Sequence, residues 1–296
     1  MVPAASDHPD VLSRAIEDLR LRGASYRHDV RTAPWSCAVD DGMSGVHYVR
    51  RGAAQLRGER HTLDLAPGDL VIIPAGVGHV LASPTGVPVG ASSEMICGSF
   101  VFGAPDHPLL AMLPAFLHVR GDQAVERPQL AEYLQCLAVE VTRPREGSSA
   151  LIARLSDVVL IEALRLLSTS APDGAIGGWL VGLRDPALAG ALRAMHERPE
   201  DRWTIAKLAR VAGLSRAAFA ERFATMMGEP PMTYFTRWRM FRARTLLRDT
   251  TRAIEQIALE IGYGSATAFS FAFQRIHGVP PSAFRRATTA GDPLGT

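Results

Sequence analysis

The sequence predicts an α+β protein of two domains. A β-barrel with following helices occupies residues 1–185, and an all-α domain with two helix-turn-helix units occupies residues 186–296. Three observations lead there. Between residues 35 and 101, short β-branched runs alternate with Gly and Pro, the pattern of strands and tight turns. After Pro105 the apolar spacing changes to three and four, the period of amphipathic helices. From Pro186 to Arg286 the chain reads as helices throughout, and a set of residues recurs fifty positions later.

In the first domain Gly45–Leu56, Thr62–Leu65 and Asp69–Pro74 read as strands, with Pro67-Gly68-Asp69 as a turn. Pro128–Thr142 and Ser148–Ser168 read as helices, and Ser148 or Ser149 suits the N-cap of the second. The Leu, Ile and Val content of that second helix exceeds what one buried face uses. A partner subunit is therefore expected against Leu155, Val158, Val159 and Leu166, which makes the chain a homodimer. Ser168–Gly178 reads as a loop, and a short helix around Trp179–Leu183 leads to the boundary at Arg184-Asp185-Pro186.

In the second domain Ser215, Phe219, Phe223, Gly228, Pro230, Pro231 and Tyr234 recur as Ser265, Phe269, Phe273, Gly278, Pro280, Pro281 and Phe284. An Ala-x-x-x-Gly precedes each copy, at Ala209–Gly213 and Ala258–Gly262. Each copy has the same physical plan. A short amphipathic helix ends at a glycine suited to a left-handed turn, and a serine caps a second helix that buries two phenylalanines four apart. That is a helix-turn-helix. Between the copies Met232–Asp249 reads as one long Arg-rich helix. Sixteen residues of it span ~24 Å, enough to hold two recognition helices in major-groove segments about 34 Å apart.

Charge agrees with a polyanionic partner. Residues 1–185 carry 16 Arg and Lys against 21 Asp and Glu, a net of −5, and residues 186–296 carry 16 against 9, a net of +7. No apolar run is long enough to span a membrane, and the first residues lack the basic and apolar segments of a signal peptide. The chain is therefore expected to be cytoplasmic, with no membrane partner. Three cysteines, Cys37, Cys97 and Cys136, do not form a disulfide framework.

Residues 186–286 resemble the DNA-binding domain of the AraC/XylS family. The resemblance rests on Trp203-Thr204-Ile205, Ala209-x-x-x-Gly213, Ser215-x-x-x-Phe219, Gly228-x-Pro230-Pro231, Arg237-Trp238-Arg239-Met240, Ile257-Ala258-x-x-x-Gly262-Tyr263 and Gly278-x-Pro280-Pro281. It implies a transcription regulator that binds double-stranded DNA and reads bases from Ala217, Ala220 and Glu221 and from Ala266, Thr267, Ser270 and Phe271. Arg216 is a further outward position on the first recognition helix. These side chains offer methyl contacts and one carboxylate acceptor, but no bidentate purine reader. Phe271 stands where family members often carry a polar or basic residue, so a core position is its alternative reading. Arg237, Arg239, Arg242, Arg244 and Arg275 are expected on phosphates, with ion pairs to Glu229 or Asp249 as the alternative for some.

Gly68–Pro74-Ala-Gly76-Val-Gly-His79 fits the second motif of the cupin barrel, and Gly45–Leu56 resembles the end of the first. Aligning on Gly52 puts Val39, Asp41 and Gly45 where metal-dependent cupins have His, His and Glu. His47 falls two residues after the missing Glu, on the same side of the strand. His47, His79 and Cys97 could together hold a zinc-like ion, with His28 or Asp29 as a fourth ligand. The alternatives are a core histidine hydrogen bond and a cysteine that fills space. Leu12-Ser13-Arg14, Ala33-Pro34-Trp35, Pro67-Gly68-Asp69, His79, Cys97-Gly98 and Trp179–Pro186 resemble a subgroup of AraC-like regulators with a cupin domain, and the resemblance matches Cys97 to a redox-sensing cysteine.

Three functions follow from these features. The first is a regulator controlled by a small-molecule, metal or redox signal at the barrel. The second is a cupin metalloenzyme fused to a DNA-binding module, which the missing first-motif ligands disfavour. The third is an architectural DNA binder that senses nothing.

Overall fold

The computed structural model describes residues 11–289 except residues 20, 60, 105–106, 109, 111–112, 125–127, 171–181 and 183. Of the short helix expected around Trp179–Leu183, only Gly182 lies among them. Two compact units form, one of Arg14–Ile176 and the other of Gly177–Thr296 together with the residues before Arg14.

The helix α1 (Val11–Leu19) leads into the first unit. Nine strands follow: β1 (Leu21–Thr32), β2 (Ser36–Val39), β3 (Ser44–Arg51), β4 (Ala54–Arg57), β5 (Thr62–Leu65), β6 (Leu70–Ile73), β7 (His79–Ala82), β8 (Ser92–Phe102) and β9 (Leu117–Val119). They form two antiparallel sheets, in the orders β1-β8-β3-β6-β9 and β2-β7-β4-β5. The core between them holds Val49, Leu56, Val71, Ile73, Leu81, Met95 and Cys97. Gly45–Leu56, expected as one strand, is two. The chain leaves β3 in one sheet and enters β4 in the other, and Ser93 Oγ holds the crossing by donating to the Ala53 carbonyl at 2.6 Å. The turn Pro67-Gly68-Asp69 has a further role. Asp69 is buried, and its carboxylate accepts from the backbone N–H groups of Ala66 and Gly121 and from His118 Nε2, so it clamps β9 beside β6.

Three helices complete the unit: α2 (Gly121–Ala124), α3 (Pro128–Thr142) and α4 (Ser148–Ser170). Helices α3 and α4 pack on each other and on β1. Ser148 is not a free-standing cap. Its hydroxyl donates to buried Glu140 at 2.7 Å and accepts from the Arg145 N–H, which ties the start of α4 to the end of α3.

The second unit is helical: α5 (Pro186–Glu197), α6 (Ile205–Val211), α7 (Arg216–Met227), α8 (Pro231–Asp249), α9 (Ile254–Glu260), α10 (Ala266–His277) and α11 (Pro281–Thr289). The caps sit where the repeat requires them. Thr204, Ser215 and Ser265 each accept from the backbone N–H three residues on, and Gly228 and Gly278 close α7 and α10 in the left-handed conformation. The aromatic packing repeats as well. Phe219 and Phe223 lie 5.7 Å apart between ring centroids, and Phe269 and Phe273 lie 5.6 Å apart. Phe223 meets Tyr234 at 5.6 Å and 65°, and Phe273 meets Phe284 at 5.7 Å and 65°. Helix α8 buries Tyr234, Phe235 and Trp238 in its first half, and Met240, Ala243, Leu246 and Leu247 beside the core of the second copy. One rigid rod therefore contributes to both cores.

Candidate nucleic-acid interface and barrel site

Helices α7 and α10 present their outer faces as the repeat predicts. Arg216, Ala217 and Glu221 are exposed on α7 and Ala220 is half-buried, while Phe219 and Phe223 fill the core behind them. On α10, Thr267 and Arg275 are exposed, and Ala266 and Ser270 are half-buried. Phe271 is 72% exposed, so the core reading of this residue is overturned. The core of this copy is already filled by Phe269, Phe273 and Phe284.

The linker helix revises one expectation. Arg239 does not project as a phosphate contact. Its Nε donates to the Pro199 carbonyl and its Nη2 to the Asp201 carbonyl, both at 2.7 Å, and its guanidinium lies 4.2 Å from the Phe235 ring centroid. Burial lowers its pKa from the usual arginine value. Arg239→Ala is therefore expected to cost roughly 2 kcal/mol of stability, by removing charge-assisted hydrogen bonds. It should leave the salt dependence of DNA binding unchanged. Urea unfolding and a salt titration check the two halves, and a flattened salt slope would put Arg239 back on a phosphate. Arg237 pairs with Glu229, as the alternative reading allowed, and Arg242 is half-buried on the same helix. Arg248 pairs with Asp249, and Arg244 lies 5.1 Å from the Phe284 ring centroid.

A third ion pair was not anticipated. Asp185 caps α5 by accepting from the Ala187 and Leu188 N–H groups, and its other oxygen accepts from Arg222 on α7. Burial alone would raise its pKa, but the Arg222 guanidinium and the two N–H groups outweigh it and hold the carboxyl below its usual value. The Asp185-Pro186 pair carries the N-cap and N1 signal from which this cap could have been read.

In the barrel, β3 and β7 bring His47 and His79 together across the two sheets. Their Nε2 atoms are 2.8 Å apart and both side chains are buried. His79 Nδ1 faces the Val77 carbonyl at 2.9 Å, so that nitrogen carries a proton. Two neutral rings then fit only if His47 Nε2 donates to His79 Nε2, which leaves His47 Nδ1 buried without a hydrogen-bond partner. Burial, followed by the neighbouring His79 and Arg27, lowers the His47 pKa to about 3.

The expected zinc triad does not assemble. The two Nε2 atoms face each other at hydrogen-bond distance instead of converging on a third point. Cys97 is packed in the apolar core, directly opposite His47 in the β3–β8 register. His28 bonds to Glu94, and Asp29 bonds to Arg31. Among the described residues no three His, Cys, Asp or Glu side chains are placed to hold a metal. Burial also pushes the Cys97 thiol up to about 12, the setting of a packing cysteine and not of a reactive one. Cys97 and Cys37 line a cavity of about 260 Å³ that Arg27, Tyr26 and His47 share. A wider opening of about 800 Å³ runs past His79, Val77, Phe116 and Arg57.

A family model described as cupin matches residues 10–168, and one described as a helix-turn-helix domain matches residues 208–287. An AraC-like transcription regulator of Streptomyces lividans is 36% identical over 264 residues, covering 81% of this chain and 86% of that protein. The chain belongs to the AraC-like transcription regulators. The HTH-type transcriptional regulator AlkR of Acinetobacter baylyi is 28% identical over 308 residues, covering 94% and 99%. Among solved structures, the DNA-binding domain of AdpA in complex with a target DNA is similar, with 29% identity and a TM-score of 0.35. It covers 38% of this chain and 99% of that one. As an AraC-like regulator the chain joins a cupin unit to a DNA-binding unit of two helix-turn-helix copies. Among its described residues no helix is long and apolar enough to cross a membrane.

Proposed function

We propose that this AraC-like regulator is a cytoplasmic homodimer whose barrel, in residues 1–185, senses a small effector, while residues 186–296 read double-stranded DNA. The observation that carries the DNA half is the duplicated capped helix with an exposed outer face on each copy. Arg216 and Arg275, both exposed on those helices, are the phosphate contacts the geometry favours. Genomic fragments selected by the full-length protein provide the operator. On it, Arg216→Ala and Arg275→Ala should each flatten the salt dependence by about 0.9 in the log–log slope. Unchanged slopes in both variants would take these helices off the DNA.

For the barrel, a ligand role fits better than catalysis. Asp41, where a metal-dependent cupin has a histidine, accepts the Gly78 N–H at 2.5 Å, and His47 and His79 are bonded to each other. A small molecule in the cavities fits this wall better than a zinc ion or a thiol switch at Cys97. Oxygen uptake together with bound metal in the purified protein would instead favour the enzyme reading.

The dimer surface needs a different set of residues from the one the sequence suggests. Val159 and Leu166 are buried within their own unit, so a charge at Val159 would unfold it. Leu151 is 45% exposed, and Leu155 and Val158 are half-buried. These three follow four- and three-residue spacing along one face of α4. Leu151→Arg with Leu155→Arg should give folded monomers by light scattering. A folded variant that stays dimeric would move the interface off α4.

A further inference from the structure

Phe271 is the most exposed aromatic side chain among the described residues, and it lies in the middle of the outer face of α10. Four residues before it stands Thr267 and three before it Ala268, both exposed; Gln274 and Arg275 follow at three and four. The centre of this face is therefore apolar, with the Thr267 hydroxyl at one end and Gln274 and Arg275 at the other. Nothing in its own copy needs the phenyl ring, because the core there is complete without it. The fifty-residue repeat gives the comparison. The position on α7 that corresponds to Phe271 is Glu221, also exposed. The two copies thus offer opposite chemistry at one geometric position, a carboxylate acceptor on α7 and a hydrocarbon surface on α10.

We propose that Phe271 reads a thymine C5-methyl group in the major groove, so that the two halves of the operator differ in kind, the α10 half being specified by methyl contact. This rests on the reading of α10 as the second recognition helix. The choice of thymine follows from what each base edge presents. Guanine shows two acceptors there, cytosine an amine donor, and adenine one of each; thymine alone adds a methyl group. A phenyl ring over guanine, cytosine or adenine would strip water from polar atoms and return no hydrogen bond. Over thymine it covers a methyl, with the Thr267 methyl one turn away to extend the contact. Glu221, by contrast, suits the amine of cytosine on the α7 half.

The test uses the full-length protein and a duplex selected from a random-sequence library. Each thymine in the segment under α10 is replaced in turn by deoxyuridine, which removes only the C5-methyl. At one or two positions binding should weaken about fourfold, the equivalent of one buried methyl group. In Phe271→Ala that penalty should vanish, and in Phe271→Leu, which keeps a hydrocarbon surface, it should persist. At the sensitive position 5-methylcytosine should bind better than cytosine. Deoxyuridine tolerated at every thymine, or a penalty equal in Phe271→Ala and the parent, overturns the assignment while leaving a DNA-binding regulator. Failure to enrich any sequence overturns both the assignment and the regulator reading on which it rests.

Discussion

Gly262→Ala is expected to unfold the second helix-turn-helix copy under conditions in which Gly213→Ala is tolerated. The two glycines occupy the same place in the repeat and both have positive φ, +67° at Gly213 and +83° at Gly262. A side chain at either costs roughly 1–2 kcal/mol of backbone strain. Their surroundings separate them. A Cβ at Gly213 meets nothing within 4 Å. A Cβ at Gly262 would fall 2.7 Å from the Glu200 carbonyl oxygen and 2.8 Å from that of Pro199, and would overlap Arg239 Nη2. Arg239 anchors this segment through the carbonyls of Pro199 and Asp201, on either side of Glu200, so it cannot move aside without breaking those hydrogen bonds. Overpacking of this kind adds roughly 1–3 kcal/mol. Gly213→Ala should thus cost about 1 kcal/mol and Gly262→Ala about 3 kcal/mol or more in urea unfolding of the full chain. The functional consequence is larger than the stability loss. The segment before α6 is clamped between Arg239 of the linker helix and the turn at Gly262, which fixes one recognition helix relative to the other. Gly262→Ala should therefore weaken binding to a two-site operator more than to either half-site. Equal unfolding midpoints for the two alanine variants would remove this account.

Both glycines could be found in the sequence, but the difference between them could not. A repeat reports local backbone need, and here it placed the caps at Ser215 and Ser265 and the paired phenylalanines correctly. What Gly262 touches lies some sixty residues away in the chain. The same boundary runs through the linker helix. Arg237, Arg239 and Arg242 look alike in an Arg-rich run, and only packing shows that Arg239 turns inward. In the barrel the glycine and proline turns were readable, but the long edge strand β1 was not. Its sequence is rich in charge because its exposed positions on both faces include Arg22, Arg27 and His28, and no apolar alternation survives to mark it. The inward side of His47 and Cys97 was readable from strand alternation, and the register places them opposite each other. The direction of the imidazole nitrogens was not, and that direction turns an expected metal site into a histidine pair. Likewise Val159 and Leu166 exceed one helix face on paper, yet α3 and β1 together cover more of α4 than a single face.

Acidification from pH 6.5 should destabilise the barrel unit, and His47 is the cause. In the unfolded chain a histidine takes up its proton near pH 6.5, whereas in the fold His47 does so only at about 3. Between these values unfolding binds one additional proton, so stability falls as pH falls. The slope approaches ~1.4 kcal/mol per pH unit, and the loss amounts to roughly 4–5 kcal/mol over the window. The groups that hold the ring neutral are identifiable. Burial is the largest, followed by His79 at 2.8 Å and the Arg27 cation. His118 and two backbone N–H groups outweigh the burial of Asp69 and keep its pKa low, whereas burial raises that of Asp157 on α4, so a His47 variant is needed to assign the effect. His47→Gln keeps an amide donor for His79 Nε2 but has nothing to protonate. Hydrogen exchange of the β3 and β7 amides in urea, measured across that window, should show a steep loss of protection in the parent and a nearly flat profile in His47→Gln. A parent barrel equally stable at pH 6.5 and 4.5 would mean that the pair accepts a proton without opening. A slope that survives in His47→Gln would assign the effect to another group.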